Sequence, residues 1–323
     1  MVLVRIAENV GQYLFKECQI SGWGRTNKNE PLSNTLKKAF TKIVPLFVCT
    51  QEYTQSKERM EQANLTCVLD YAAINSTDKS VKRIVNGQNA MMFEIPYQIA
   101  LQIRIYGSWR YCCSGTLLTP DKVLTAAHCL ESSTANNYRV IVGMLNLFGP
   151  PTEFEQTIYV SKIYIHESFL IDMTSSHDIA VITLATSAIL NKNVQLARIA
   201  ENVKQYYYRD CQISGWGYIS YNGPVSNILQ KALTKIVDII VCSQKYQKNK
   251  VAIEQANYIC VYDYTGSPPS STCLGDSGSP LLCGPEKNEL VGILKSGQSR
   301  CEADSPSMYV NLSLYRDWLA DKL

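Results

Sequence analysis

The chain has 323 residues, 46% of them hydrophobic and 18% charged, which excludes a disordered or low-complexity polypeptide and fits two domains, or one large domain with an extension. The formal net charge is only +3 and the Lys and Arg residues are scattered, so no nucleic-acid partner is expected. The 12 cysteines contain no C-x-x-C pair, and isolated, widely spaced cysteines fit disulfides in an oxidising compartment better than metal or redox sites.

The chain opens MVLVRIAENVGQYLFKEC, where Arg5, Glu8, Lys16 and Glu17 interrupt any apolar run, so no signal peptide is read there. The cysteines, supported weakly by sequons at Asn64, Asn75 and Asn311, point instead to an extracellular protein whose natural start is not Met1. Nowhere do eighteen apolar residues run together, and no membrane span is predicted.

Residues 5–71 then reappear, ungapped, at 198–264, with 39 identities in 67 positions. Cys18, Cys49 and Cys67 fall on Cys211, Cys242 and Cys260, and the heptad CQISGWG is common to both. Two copies separated by a long unmatched stretch are a duplication and not a solenoid. The copy ends before the string GDSGSP at Gly275–Pro280 and contains no histidine. Residues 1–83 are therefore expected to hold no active site of the kind the later residues could build.

From Ile84 onward, short apolar or alternating runs are broken by turn residues. Tyr97–Ile105, Arg139–Gly143, Thr157–Ile165, Asp178–Leu184, Asn288–Leu294 and Ser307–Leu312 read as strands from their β-branched and aromatic content. Many short strands without alternating helices predict an all-β barrel or sandwich. Leu312, Leu314, Tyr315, Trp318 and Leu319 are spaced for one amphipathic C-terminal helix.

The chain has 3 histidines, and His128 stands in VLTAAHC at the end of an apolar run. Asp178 opens a strand, and Ser277 sits in a glycine-bounded turn whose backbone N–H groups can converge on one point. Each has a bland reading alone: a core imidazole, a strand-end carboxylate, a turn serine. Together they supply a nucleophile, the base it needs near neutral pH, and the carboxylate that fixes the base's tautomer.

These strings carry a resemblance. IVNG at Ile84, TAAHC around His128, DIAVITL from Asp178, SGWG from Ser214, GDSGSP around Ser277 and SMYV before the C-terminal helix stand in the order of a chymotrypsin-like serine protease, across residues 84–323. The resemblance implies two six-stranded antiparallel β-barrels packed together with a C-terminal α-helix, preceded in 1–83 by a partial duplicate of the second barrel. It implies that His128, Asp178 and Ser277 form the triad, with the N–H groups of Gly275 and Ser277 as the oxyanion hole. It also implies disulfides Cys113–Cys129, Cys211–Cys283, Cys242–Cys260 and Cys273–Cys301, and repetition of the third as Cys49–Cys67 in the copy. Cys18 and Cys112 are left over and could join only each other. Cleavage after Arg83 would free the Ile84 ammonium to pair with Asp276, so the uncut chain would be a zymogen. Protein or peptide substrates, an activating protease and serine-protease inhibitors are the implied partners, and no cofactor is implied.

Several residues depart from the pattern. Ser271 stands where a trypsin-like enzyme has an aspartate, and Ser307 stands where a glycine is usual, opposite Gly297. The pocket should be uncharged and narrowed, with a chymotrypsin-like or elastase-like preference. Lys295 replaces a serine that normally supports the triad aspartate. It is expected either to compete with His128 for Asp178 or to extend to solvent, and reduced activity follows from the first. The family's calcium loop lacks carboxylates here until Glu153, so no structural calcium is expected. Two other readings compete: a catalytically impaired paralogue that binds proteins through the same groove, and residues 1–83 as an interaction module, against which unpaired strand edges argue.

Overall fold

The computed structural model describes residues 84–323 apart from 131–133, 172–175, 222, 247–256, 267, 298–300 and 303; before that it describes the backbone of residues 17–22, 37–44 and 67–70. The chain divides into two units, one centred on residues 1–79 and the other spanning 80–221 and 225–323. Arg83, Cys49 and the side chain of Cys67 lie outside the described residues, and with them the expected Cys49–Cys67 pair.

In the first unit, β1 (Glu17–Gly22), β2 (Lys37–Val44) and β3 (Cys67–Asp70) form an antiparallel meander. Glu17 pairs with Lys42, Gly22 with Lys37, and Val44 with Cys67.

The second unit begins with the short β4 (Gln88–Asn89). Six strands then follow: β5 (Gln98–Ile105), β6 (Ser108–Thr119), β7 (Lys122–Thr125), β8 (Tyr138–Val142), β9 (Gln156–Ile165) and β10 (Ala180–Leu184). They close into a barrel in the order β10-β7-β6-β5-β8-β9. Period-two alternation fills it: Ile99 and Leu101 from β5, Tyr138, Val140 and Val142 from β8, and Ile158 and Val160 from β9 share one buried cluster.

A second ring follows from β12 (Asp210–Gly215), β13 (Gln230–Val237), β14 (Tyr258–Tyr262), β15 (Pro280–Cys283), β16 (Glu289–Ser296) and β17 (Ser307–Asn311). Its order is β15-β12-β13-β14-β17-β16, closed by the pairing of β16 with β15. The two-residue β11 (Arg198–Ile199) runs parallel to β16 outside the ring, and β4 pairs with β13. Here both faces of several strands are buried. Leu281 and Leu294 point into the barrel, whereas their neighbours Leu282 and Ile293 join Leu124, Ile141 and Val181 of the first barrel in a shared core. This two-sided burial is why the β15 and β16 segments read as continuous apolar runs and not as alternating ones.

The expected strands are present, and the C-terminal segment differs in one respect. A single helix over 312–323 is replaced by a 3-10 turn at Leu312–Leu314 followed by an α-helix at Arg316–Lys322. Asn311 Oδ1 accepts from both the N–H (3.2 Å) and the hydroxyl (2.8 Å) of Ser313, a local cap that competes with continuous helix. Leu312, Tyr315 and Leu319 still face the inter-barrel core. Two further helices, Glu167–Ile171 and Ile239–Tyr246, carried no distinct sequence signal. No helix among the described residues is long and apolar enough to cross a membrane.

The bridges Cys113–Cys129, Cys211–Cys283, Cys242–Cys260 and Cys273–Cys301 are all formed. Cys112 is a free thiol, so the remaining pairing with Cys18 is not made. Burial pushes that thiol up to about 12, and it donates to the Leu101 carbonyl at 3.4 Å.

Candidate active site

The structure puts His128 in direct contact with Asp178 and packs the Ser277 turn against the end of β7, just before His128. His128 lies on the 3-10 turn Ala127–Leu130, just past β7 and clamped by the Cys113–Cys129 bridge. Asp178 lies two residues before β10 and is fully buried. Its Oδ2 receives His128 Nδ1 at 2.7 Å, and its Oδ1 receives the His128 backbone N–H at 2.9 Å. Both carboxylate oxygens thus hold one residue, which fixes the imidazole in place and its proton on Nδ1.

Lys295 takes the first of its two expected placements. Its Nζ is 3.2 Å from Asp178 Oδ2, and the side chain is only 19% exposed. Burial alone would raise the Asp178 carboxyl, but His128 and then Lys295 outweigh it and hold the group below the usual aspartate range.

Ser277 occupies the turn before β15. Its carbonyl accepts the Ser114 N–H at 2.8 Å, and Gly278 (φ +77°) lies so close that a Cβ there would stand 2.4 Å from both Ser114 O and Thr125 Oγ1. Glycine is therefore required for the turn to reach the end of β7, three residues before His128. Among the described residues the Ser277 hydroxyl is not hydrogen-bonded to His128. Such bonds are often long until substrate is bound.

The amide planes on this turn are individually tied. Tyr218 N–H donates to Leu274 O (2.8 Å), holding the plane that carries the Gly275 N–H; Ser279 N–H donates to Asp276 O (3.0 Å), holding the plane that carries the Ser277 N–H. Among the described residues neither of those two N–H groups finds an acceptor within the protein. The arrangement can hold a negatively charged oxygen beside Ser277.

Asp276 points the other way, into the second barrel, and is fully buried. Its carboxylate accepts from Gly217 N–H (2.7 Å) and Cys273 N–H (2.9 Å). Burial pushes this carboxyl up to about 7, only partly offset by those two bonds, and among the described residues it has no ion-pair partner. The SGWG string makes the room: a Cβ on Gly215 would stand 2.0 Å from Asp276 Oδ1, and one on Gly217 2.6 Å from it. The Ile84 side chain is already packed into this barrel's core at 1% exposure, while its backbone sits at φ +37°. For a β-branched residue that conformation costs on the order of 1–3 kcal/mol.

In the buried segment before the Ser277 turn, the Ser271 hydroxyl donates to Ser305 O at 2.8 Å, and Thr272 Oγ1 meets Ser307 Oγ at 2.6 Å. A Cβ on Gly297 would stand 2.9 Å from Thr272 O and Oγ1. No charged side chain is among these five, and Ser307 fills space that a glycine would leave. His166 and His177 do not join the site; they stack on each other at 4.7 Å between centroids, against Tyr315 and Trp318. Sequence reasoning passed over Tyr111, whose hydroxyl reaches Gly275 O at 2.8 Å. An aromatic residue in a strand carries no signal of such a role.

A model of the trypsin family matches residues 84–319. The chain belongs to the trypsin family. Within it, the chain is 36% identical to chymotrypsin-C of Bos taurus over 251 residues, 75% of this chain and 89% of that protein. It is 35% identical to fibrinolytic enzyme, isozyme C, of Lumbricus rubellus over 244 residues, 74% of this chain and 99% of that protein. Chymotrypsin-C of Rattus norvegicus is 34% identical over 254 residues. This trypsin-family member is a serine-type endopeptidase, and its substrates are proteins.

Proposed function

We propose that the chain is a secreted zymogen whose cleavage after Arg83 yields an endopeptidase working through His128, Asp178 and Ser277. What supports this most directly is the 2.7 Å bond between His128 Nδ1 and the buried Asp178 carboxylate. With Nδ1 committed, Nε2 is the nitrogen left to take the Ser277 proton as that oxygen attacks the scissile carbonyl. The same nitrogen then gives the proton to the leaving amine, and water repeats the cycle on the acyl-enzyme. The N–H groups of Gly275 and Ser277 receive the oxyanion; one such donor is worth about 10²–10³ in turnover.

Activation follows from Asp276 and Ile84. A buried carboxyl without a cation is costly, and a new ammonium at Ile84 would supply the missing charge. Cutting the 83–84 bond also abolishes the constraint that holds Ile84 at φ +37°. Residues 1–83 are then a propeptide-like duplicate without a site of its own. The uncharged group Ser271, Gly297 and Ser307 and the likeness to chymotrypsin-C favour an apolar or medium-sized residue before the cut bond. Lys295 lowers activity without abolishing it, because it draws on the same Asp178 oxygen as His128. Four disulfides fit extracellular work, alongside an activating protease and serine-protease inhibitors as partners.

The test is to cut the chain after Arg83 and add a serine-directed covalent inhibitor. Labelling lost in Ser277→Ala is the expected result; absence of labelling in correctly cut, folded protein would favour a binding protein built on the same groove.

A further inference from the structure

A hydrogen-bond chain, buried in its first half, crosses from the second barrel through the first to the turn that carries Ser277. Ser214 Oγ donates to Gln98 Oε1 (2.5 Å), and Gln98 Nε2 donates to Ser114 Oγ (3.0 Å). Ser114 Oγ lies 2.9 Å from the Tyr111 hydroxyl, which reaches Gly275 O at 2.8 Å. The directions are forced. A carbonyl oxygen can only accept, so Tyr111 gives its one proton to Gly275 and must accept from Ser114. Ser114 in turn accepts from the Gln98 amide, and each hydroxyl donates once. Ser114 and Ser214 have 0% exposure and Gln98 has 2%, so water does not compete for the bonds among these three, while Tyr111 and Gly275 are partly buried. Burial and the nearby Asp276 charge keep the Tyr111 phenol well above its ordinary value, so it remains a donor at working pH. Its ring is set edge-on to Trp216, with centroids 6.1 Å apart.

Gly275 is where this chain ends, and it sits at φ +88°, which glycine adopts at no steric cost. That freedom is also a weakness, because nothing in glycine itself holds its amide at one angle. The plane before it is tied by Tyr218. The plane after it has only the 3.2 Å bond from Asp276 N–H to Cys273 O, apart from Tyr111.

We propose that Tyr111 is a positioning residue for the oxyanion site: its hydroxyl, aligned through Ser114, Gln98 and Ser214, fixes the peptide plane between Gly275 and Asp276, which links the two planes carrying the Gly275 and Ser277 N–H groups and so sets the angle between those donors. This rests on the reading of Gly275 N–H as an oxyanion donor. Tyr111 touches neither substrate nor reacting atoms, and its effect passes through the backbone. A donor that is misaligned but not removed should forfeit part of the 10²–10³ that a lost donor costs, or about tenfold.

Tyr111→Phe keeps the ring against Trp216 and removes one oxygen. In protein cut after Arg83, kcat should fall about tenfold with KM within twofold and an unchanged melting temperature. Affinity for a peptide aldehyde, whose hemiacetal oxygen takes the oxyanion position, should fall by the same factor. An unchanged kcat, or a rise in KM at constant kcat, would overturn the proposal. Hydrogen exchange at the Asp276 amide, which is bonded to Cys273 O in the plane that Tyr111 holds, reads the same claim without catalysis when measured in a Ser277→Ala background. It should quicken at least tenfold in Tyr111→Phe, and equal rates would overturn the positioning role. If the cut wild-type protein labels with no serine reagent, the protease mechanism fails by itself, and the exchange measurement still decides whether Tyr111 restrains the turn.

Discussion

The meander β1–β3 and the meander β12–β14 are the same stretch of sequence written twice, and they pair in the same register. Glu17 meets Lys42 as Asp210 meets Lys235, and Val44 meets Cys67 as Val237 meets Cys260. What differs is what the sequence can place around them. In the second copy Ser214 reaches Gln98, Gly215 and Gly217 make room for Asp276, and Cys211 binds Cys283. The duplicated segment carries Ser21, Gly22, Gly24 and Cys18 at the matching places but stops before anything equivalent to Asp276 or Cys283. Local pairing is therefore a property of the meander, whereas chemistry belongs to the partners it is given.

That contrast can be broken most severely at the nucleophile. Ser277→Ala in the cut chain should lower peptide hydrolysis by about 10⁴-fold or more, measured with a chromogenic peptide. Residual hydrolysis that survives would have to come from elsewhere, including residues 1–83, and would end the contrast.

Asp276→Asn comes next. The cut enzyme should lose about 10²-fold or more in turnover, because the oxyanion turn loses its anchoring charge. In the uncut chain the same change should help. There burial pushes Asp276 up to about 7, above the ordinary aspartate range, so the unfolded state releases the proton first as pH rises. Stability is then greatest below about pH 4 and declines through pH 7, and Asp276→Asn should flatten that decline in a series of denaturant melts.

Glycine substitutions sharpen the comparison between the copies. Gly215→Ala drives a methyl group to 2.0 Å from Asp276 Oδ1 and should cost about 2–3 kcal/mol, lowering the melting temperature of the protease unit. The matched Gly22→Ala should change it by less than about 0.5 kcal/mol, since the duplicated sequence carries no counterpart of Asp276. Equal losses would mean that the first copy has found partners of its own.

Lys295→Ser should raise kcat about tenfold by leaving Asp178 Oδ2 to His128 alone, as read in steady-state kinetics. The smallest effect is expected from removing residues 1–79, which should leave kcat/KM of the cut enzyme within about twofold. A collapse of folding or activity would show that the duplicate supports the protease unit.

Much of this was legible without coordinates, for reasons that lie in particular residues. Ile158 and Val160 alternate with exposed Thr157, Tyr159 and Ser161 because one face of β9 fills a barrel, and that period is local. Leu281 and Leu282 do not alternate, because their strand is buried on both sides, and burial on two sides hides the period. The four bridges were legible only through the family resemblance, since cysteine spacing alone leaves many pairings open. The split of the C-terminal helix at Leu312–Leu314 depended on which donors Asn311 would capture.

By itself, then, the sequence determined the strands, the turn glycines, the order of His128, Asp178 and Ser277, and the fact that the nucleophile's string was not duplicated. Only the tertiary structure decided that Lys295 rests on Asp178, that Ser307 closes on Thr272, that Cys112 stays a thiol, and that Tyr111 reaches Gly275. The physical reason is one of range. Periodicity and turn chemistry act over a few neighbouring residues, but a side-chain tip meets a partner 35 to 164 positions away only after both barrels have closed and fixed the backbones that carry them.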